Sequence, residues 1–306
     1  MGVSRWDPSD WSSHTARTAG KSRSRIFASR GLNDALDPKG VVMRESRDSA
    51  VNPASTPIIV GLDVTGSMGM IPDALVRDGL GTMIEETLTR KPVTDPHLML
   101  MGIGDANYDR APLQVTQFEA DIRIAEQLQN IYLEGGGGGN ASESYNLPWY
   151  FAAMHTSTDA YEKRGRKGYL FTVGDEEPPQ RLVRDQISRV IGDDIESDAL
   201  SDAELIAAAS RMYNVFHIVV QQGHHYRLHG DRVDRAWREL LGQRVIPLSD
   251  YTRLPEVIVS TIQVCEGENA DTVAHSWSGD TALVVRNATR ALSAEGGDTG
   301  RGVVRL

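Results

Sequence analysis

The chain has 306 residues, with 32 Lys and Arg against 42 Asp and Glu and a formal net charge of −10. That length suits one large α/β domain with extensions, and the acidic balance argues against non-specific binding of nucleic acid or of an anionic membrane. The one cysteine, Cys265, cannot form an internal disulfide, no apolar run approaches the ~18 residues of a membrane span, and no apolar stretch precedes a cleavage site, so a cytoplasmic protein is expected.

Residues 1–55 are rich in Ser, Arg, Thr and Gly, with little periodicity, and read as a basic arm. Up to Arg30 its charged residues are Arg5, Arg17, Lys21, Arg23, Arg25 and Arg30 against Asp7 and Asp10. Trp6 and Trp11 suit anchors for docking onto an acidic surface, in cis or in trans, better than solvated groups. Gly20-Lys21-Ser22 is no phosphate-binding loop, because Thr15 stands where the first glycine belongs and no apolar strand precedes it.

Pro57-Ile-Ile-Val-Gly-Leu-Asp63 is an uncharged, partly β-branched run of strand length, as a central parallel strand requires. Asp63, Thr65 and Ser67 then occupy alternate positions of the loop leaving its C-terminal end, where open α/β sheets bind ligands. Pro72 begins a helix through Ile71, Leu75, Ile84 and Leu88 that Lys91-Pro92 ends. Leu98–Ile103 is the next strand; Asn107 stands where a dinucleotide fingerprint would place its third glycine after Gly102 and Gly104, so the segment is a turn presenting Asp105. Leu113–Phe118 alternates, and a helix follows through Ile124, Leu128 and Ile131.

Gly135 to Gly139, five consecutive glycines, read as a loop whose backbone approaches something closely, ahead of Asn140-Ala-Ser142-Glu143-Ser144 and a helix expected to start at Pro148. Gly168–Gly174 is a second apolar strand ending in Asp175-Glu176. Asp193, Asp194, Glu196, Asp198, Asp202 and Glu204 read as a solvated loop and helix start. There follow a helix near Asp202 to Met212, a strand Val215–Val220, a loop holding His224, His225 and His229, a helix from Val233 to Leu241 and a strand Arg244–Pro247. Helices around Glu256 to Cys265, with a buried inert thiol, and Thr281 to Leu292 complete the chain. Strands alternating with helices predict an α/β, doubly wound, mostly parallel sheet with helices on both faces. The domain limits expected are 1–55 for the arm, 56–265 for the sheet domain and 266–306 for a C-terminal helix and tail.

One carboxylate and two hydroxyls on a tight turn suit a small hard dication, which takes about six oxygens and keeps waters where the protein offers few anions. Such an ion stays electrophilic and can accept a carboxylate from another molecule. Asp63-Val-Thr65-Gly-Ser67-Met resembles the Asp-x-Ser-x-Ser metal-ion-dependent adhesion site of von Willebrand factor A (vWA) domains, with Thr in the first hydroxyl position. The resemblance implies a doubly wound fold with a short antiparallel edge strand, for which Leu113–Phe118 is the candidate, and ligands from two later loops. Asp175 matches the later Asp, acting through water; the middle ligand falls on Asn140 by alignment and on Ser142 by spacing, with Glu143 a further alternative. The resemblance covers about residues 55–265 and points to the intracellular, bacterial or phage-type branch. It implies a Mg2+-dependent protein interaction module, with Mn2+ or Ca2+ as alternatives, whose partner supplies a carboxylate and belongs to an AAA+ ATPase, stress or assembly system.

Asp105, His224 and His225 are expected to line the partner-binding rim, and the histidines lack the cysteine or further acid that a zinc site would need. A structural component of a larger assembly, with the arm threading onto a neighbour, is a second possibility. Strands ending at Asp63 and at Gly174-Asp175 also resemble a haloacid-dehalogenase-type phosphatase, but Thr65 stands where its general acid would be, and a hydroxyl does not supply that proton near neutral pH. No catalytic role is therefore expected.

Overall fold

Successive residues of a strand face opposite sides of a sheet, so a strand that is apolar at every position must be covered twice. The computed structural model describes residues 4–66, 68–134 and 142–292, and its strands in chain order are β1 (Arg44–Ser46), β2 (Thr56–Asp63), β3 (Pro96–Ile103), β4 (Leu113–Val115), β5 (Thr156–Thr158), β6 (Gly168–Gly174), β7 (Arg181–Val183), β8 (Ala199–Ser201), β9 (Tyr213–Val220) and β10 (Val245–Leu248). Ile58, Val60 and Leu62 of β2 join Leu98, Leu100, Tyr169, Phe171 and Val173 in one apolar cluster. Ile59 joins Met99, Met101, Ile103 and Leu170 in another.

Helices Leu80–Arg90, Arg123–Gln129, Leu254–Cys265 and Gly279–Thr289 cover the first face, and Asn146–Met154, Arg184–Val190, Asp202–Ala209 and His224–Leu241 cover the second. The central sheet has the order β10-β9-β6-β2-β3-β4, parallel throughout except for β4 at its edge. The chain therefore winds outward from β2 through β3 to β4, then returns to the other flank of β2 through β6, β9 and β10. The reversal opens a crevice at the C-terminal ends of β2 and β6, the place where such sheets take ligands. Two short pairs lie outside the sheet, β1 with β5 and β7 with β8.

Several local expectations are corrected. The helix expected to open at Pro148 spans Asn146–Met154, with Pro148 in its first turn, where its missing N–H has no intrahelical acceptor to lose. His224 and His225 lie in a helix rather than a loop: it spans His224–Leu241, with one non-helical residue at His229 (φ −134°, ψ 19°). Cys265 is exposed, at the end of its helix beyond the edge of the core. No helix among the described residues is long and apolar enough to cross a membrane.

The segment read as an arm contains a helix, Pro8–Thr18, capped by the Asp7 carboxylate accepting the Ser9 N–H. Trp11 is buried, Trp6 stacks on it with centroids 6.1 Å apart, and the Trp6 indole N–H donates to Pro96 O at 2.8 Å. Docking is thus in cis. At the other end, Val273, Ala274, Val284, Val285 and Ala288 of the last two helices enter the same apolar cluster as β2.

Candidate metal centre

β2 delivers Asp63 to the crevice between β3 and β6. The Thr65 N–H and hydroxyl both donate to Asp63 Oδ1, at 2.9 and 2.6 Å, an Asx-type turn that folds carboxylate and hydroxyl together. Asp63 is 1% exposed. Ser67 and Asn140 lie outside the described residues.

β6 delivers Asp175. Its Oδ2 accepts the N–H groups of His225 at 2.8 Å and Tyr226 at 3.4 Å, so it caps the positive end of helix His224–Leu241. Gly223 is obligatory for this approach, because a Cβ there would collide with the Asp175 carboxylate. The next residue, Glu176, accepts the Trp237 indole N–H on its backbone carbonyl at 2.7 Å, while its Oε2 is buried without a partner.

The third contribution comes from the segment before helix Asn146–Met154. The Ser144 hydroxyl accepts the Ala106 N–H at 2.9 Å and the Ser144 N–H donates to Gly104 O at 3.2 Å, pinning this segment to the loop after β3. Glu143 is thereby held 3% exposed, with Oε2 unpartnered. Ser142, on the same segment, also lines a groove with Glu177, Pro178 and Pro179. The Tyr145 hydroxyl donates to Asp63 Oδ2 at 3.3 Å and occupies the space above Gly174 that any Cβ would fill. Beneath it the His217 ring stacks on Trp237 with centroids 3.5 Å apart, and Tyr145 meets His217 edge-on.

These carboxylates repel one another, and burial raises the cost of each charge. Burial pushes Asp63 up to about 7, with the Asp175 charge adding to it against the opposing Thr65 hydrogen bonds. Burial raises Glu143 far above the carboxylate range, with Asp63 and Glu176 adding to it, and raises Glu176 to about 8, with Asp63 and Asp175 adding. Asp175 is raised by burial and pulled back by the Tyr226 and His225 N–H groups. The adjacent His225 and Arg232 side chains are both engaged by Glu177.

A buried set of oxygen donors with orphaned Glu143 and Glu176 oxygens fits a hard dication and no soft one. Among the described residues no three His, Cys, Asp or Glu side chains are gathered closely enough to cage an ion by themselves. The Asp63 turn brings together one carboxylate and the Thr65 hydroxyl. Asp105 is buried, its Oδ1 accepting the Asn107 N–H at 2.7 Å, whereas His224 is exposed and His225 half-buried at the rim. Glu176 and Tyr145 escaped the sequence reading. Glu176 had a signal in standing next to Asp175; Tyr145 had none, since only the docking of its helix brings it to Asp63.

No family model and no curated protein matches the chain. Solved structures similar to it in outline include the pilus adhesin SpaC of Lactobacillus rhamnosus GG in its open conformation (10% identity, TM-score 0.42, covering 75% of this chain and 31% of that one). Others are proximal thread matrix protein 1 of the mussel byssus (10%, 0.41, 72% and 48%) and a von Willebrand factor type A protein from Catenulispora acidiphila (12%, 0.39, 71% and 44%). The match spans less than half the length of each of these proteins.

Proposed function

We propose that this chain is a vWA-type interaction module whose recognition of a protein partner depends on a divalent cation, Mg2+ foremost. Asp63 and Thr65, with Ser67 and with Asn140 or Ser142, would hold the ion, and Asp175 would act on it through water. The bound ion supplies a position that takes a carboxylate from the partner. The observation that carries the reading is the convergence of buried carboxylates, two with orphaned oxygens, at the crevice where the sheet reverses direction. Three buried acids and the half-buried Glu176, all with raised proton affinities, are expensive to maintain without a cation, and such groups gather at functional sites.

The chain's own residues have separable tasks. Asp63 binds, and the Thr65 and Tyr145 hydrogen bonds orient it. Glu143 holds a proton while no cation is present and can release it when one arrives. The Asp175 carboxylate is fixed by helix N–H groups rather than by a mobile side chain. Calorimetric titration with Mg2+, followed by capture of a partner from the native host in Mg2+ and in EDTA, tests the proposal. The wild type should bind the ion and retain a partner only in Mg2+, and Asp63→Ala should lose both. Unchanged ion and partner binding in Asp63→Ala would falsify it. An AAA+ ATPase or an assembly component carrying an exposed acidic residue is the partner class expected.

A further inference from the structure

The helix that leaves the Asp63 turn is interrupted at Leu75–Gly79 by a π turn, in which the Leu80 N–H reaches back five residues to Leu75 O. A π turn widens the helix, breaks the four-residue bonding pattern, and is common at functional sites. Here its middle carbonyls take donors from outside the helix: His14 Nε2 lies 2.9 Å from Val76 O, and the Thr15 hydroxyl donates to Arg77 O at 3.1 Å. A carbonyl only accepts, so His14 Nε2 carries its proton. The Arg77 side chain completes the clamp by donating to Thr18 O at 3.1 Å and Lys21 O at 2.8 Å. Arg23 of the same segment lies over Gly69, at the end of the Asp63 loop, where a Cβ would come within 3.4 Å of its guanidinium.

We infer that the N-terminal segment is a built-in positioning element of the cation site, with His14 and Thr15 holding the π turn and Arg23 covering the loop's exit. The inference rests on the cation reading above. Converting the π turn to α-helix would change the path by one residue and rotate everything before it, including Met68 and Gly69, by about 100° relative to the rest of the helix. His14 and Thr15 stabilise the π form by satisfying carbonyls that the α form would return to its own N–H groups.

The test uses the full chain and two readouts, hydrogen exchange of residues 70–90 and calorimetric Mg2+ affinity. His14→Ala/Thr15→Val should speed exchange across 75–81 and weaken Mg2+ binding by about tenfold, the size of an ordinary site-to-site coupling. His14→Gln, whose amide N–H can still donate to Val76 O, should restore most of both, which a loss of packing alone would not allow. Should the double variant bind Mg2+ like wild type while Asp63→Ala abolishes binding, the positioning role is overturned and the cation reading stands. Should Asp63→Ala have no effect either, the cation reading falls, and this inference with it.

Discussion

At the residue scale the site is governed by one trade. Burying Asp63 beside Asp175 raises its proton affinity, so below about pH 7 a proton competes for the oxygens that a cation would use. Mg2+ affinity should therefore climb with pH, by up to about tenfold per unit below the Asp63 value, and level off above it; calorimetry at pH 6, 7 and 8 would measure the slope. Flat affinity across that range would mean that no proton competes with the ion for Asp63 there. Asp63, Thr65 and Asp175 could be placed from the sequence because Asp63 ends one strand, Thr65 stands two residues on and Asp175 directly follows another, so position alone sets them at the crevice. Glu143 was readable only as one of three alternatives, since its burial depends on Ser144 bonding to the distant loop after β3. Asp105, expected at the rim, is buried and accepts the Asn107 N–H.

At the scale of elements, strands proved more readable than helix ends. The central strands announce themselves as unbroken apolar runs because both faces are covered, and the alternating Leu113–Phe118 run was equally plain, with Leu113–Val115 of it forming the edge strand. Helix His224–Leu241 was read as starting nine residues too late because its cap is no neighbour in sequence but Asp175, fifty residues earlier. Polar composition hid the helix Pro8–Thr18, whose burial rests mainly on Trp11, His14 and Thr18. Close approach of elements also makes specific glycines indispensable. Gly174→Ala drives a methyl group into the Tyr145 hydroxyl and should cost about 1–3 kcal/mol in urea denaturation, while Gly20→Ala, with open space around it, should stay within about 0.5 kcal/mol of wild type. Equal midpoints and slopes for the two variants would show that the strand end yields without resistance.

Across the whole molecule, two sets of buried groups oppose each other in pH. Burial lowers His97 from 6.5 to about 4, and His14 and His217 are lowered by burial too. Unfolded chains bind protons there that the native state refuses, so stability is full above pH 6.5 and is lost as pH falls toward 4, by on the order of 3 kcal/mol for His97 alone. Asp63 and Glu176 work in the other direction: raised to about 7 and about 8, they hold native-state protons that the unfolded chain gives up, so stability falls as pH rises from about 4 through 8. Above pH 6.5 only the acid set still titrates, so the metal-free protein should melt progressively lower from pH 6.5 to 8, and excess Mg2+ should lift that alkaline limb; scanning calorimetry from pH 6.5 to 9 would show it. An alkaline limb that does not respond to Mg2+ would separate these acids from any cation.

The acids that meet at the crevice come from Asp63, Glu143, Asp175 and Glu176, and so from chain segments that join only when β2 and β6 lie side by side. Local helices and the β2–β3 pair can form before this repulsion exists. The repulsion is then a burden of the finished state rather than of the route to it, and a cation that relieves it acts on how long the native protein lasts before opening, leaving the speed of its formation nearly untouched.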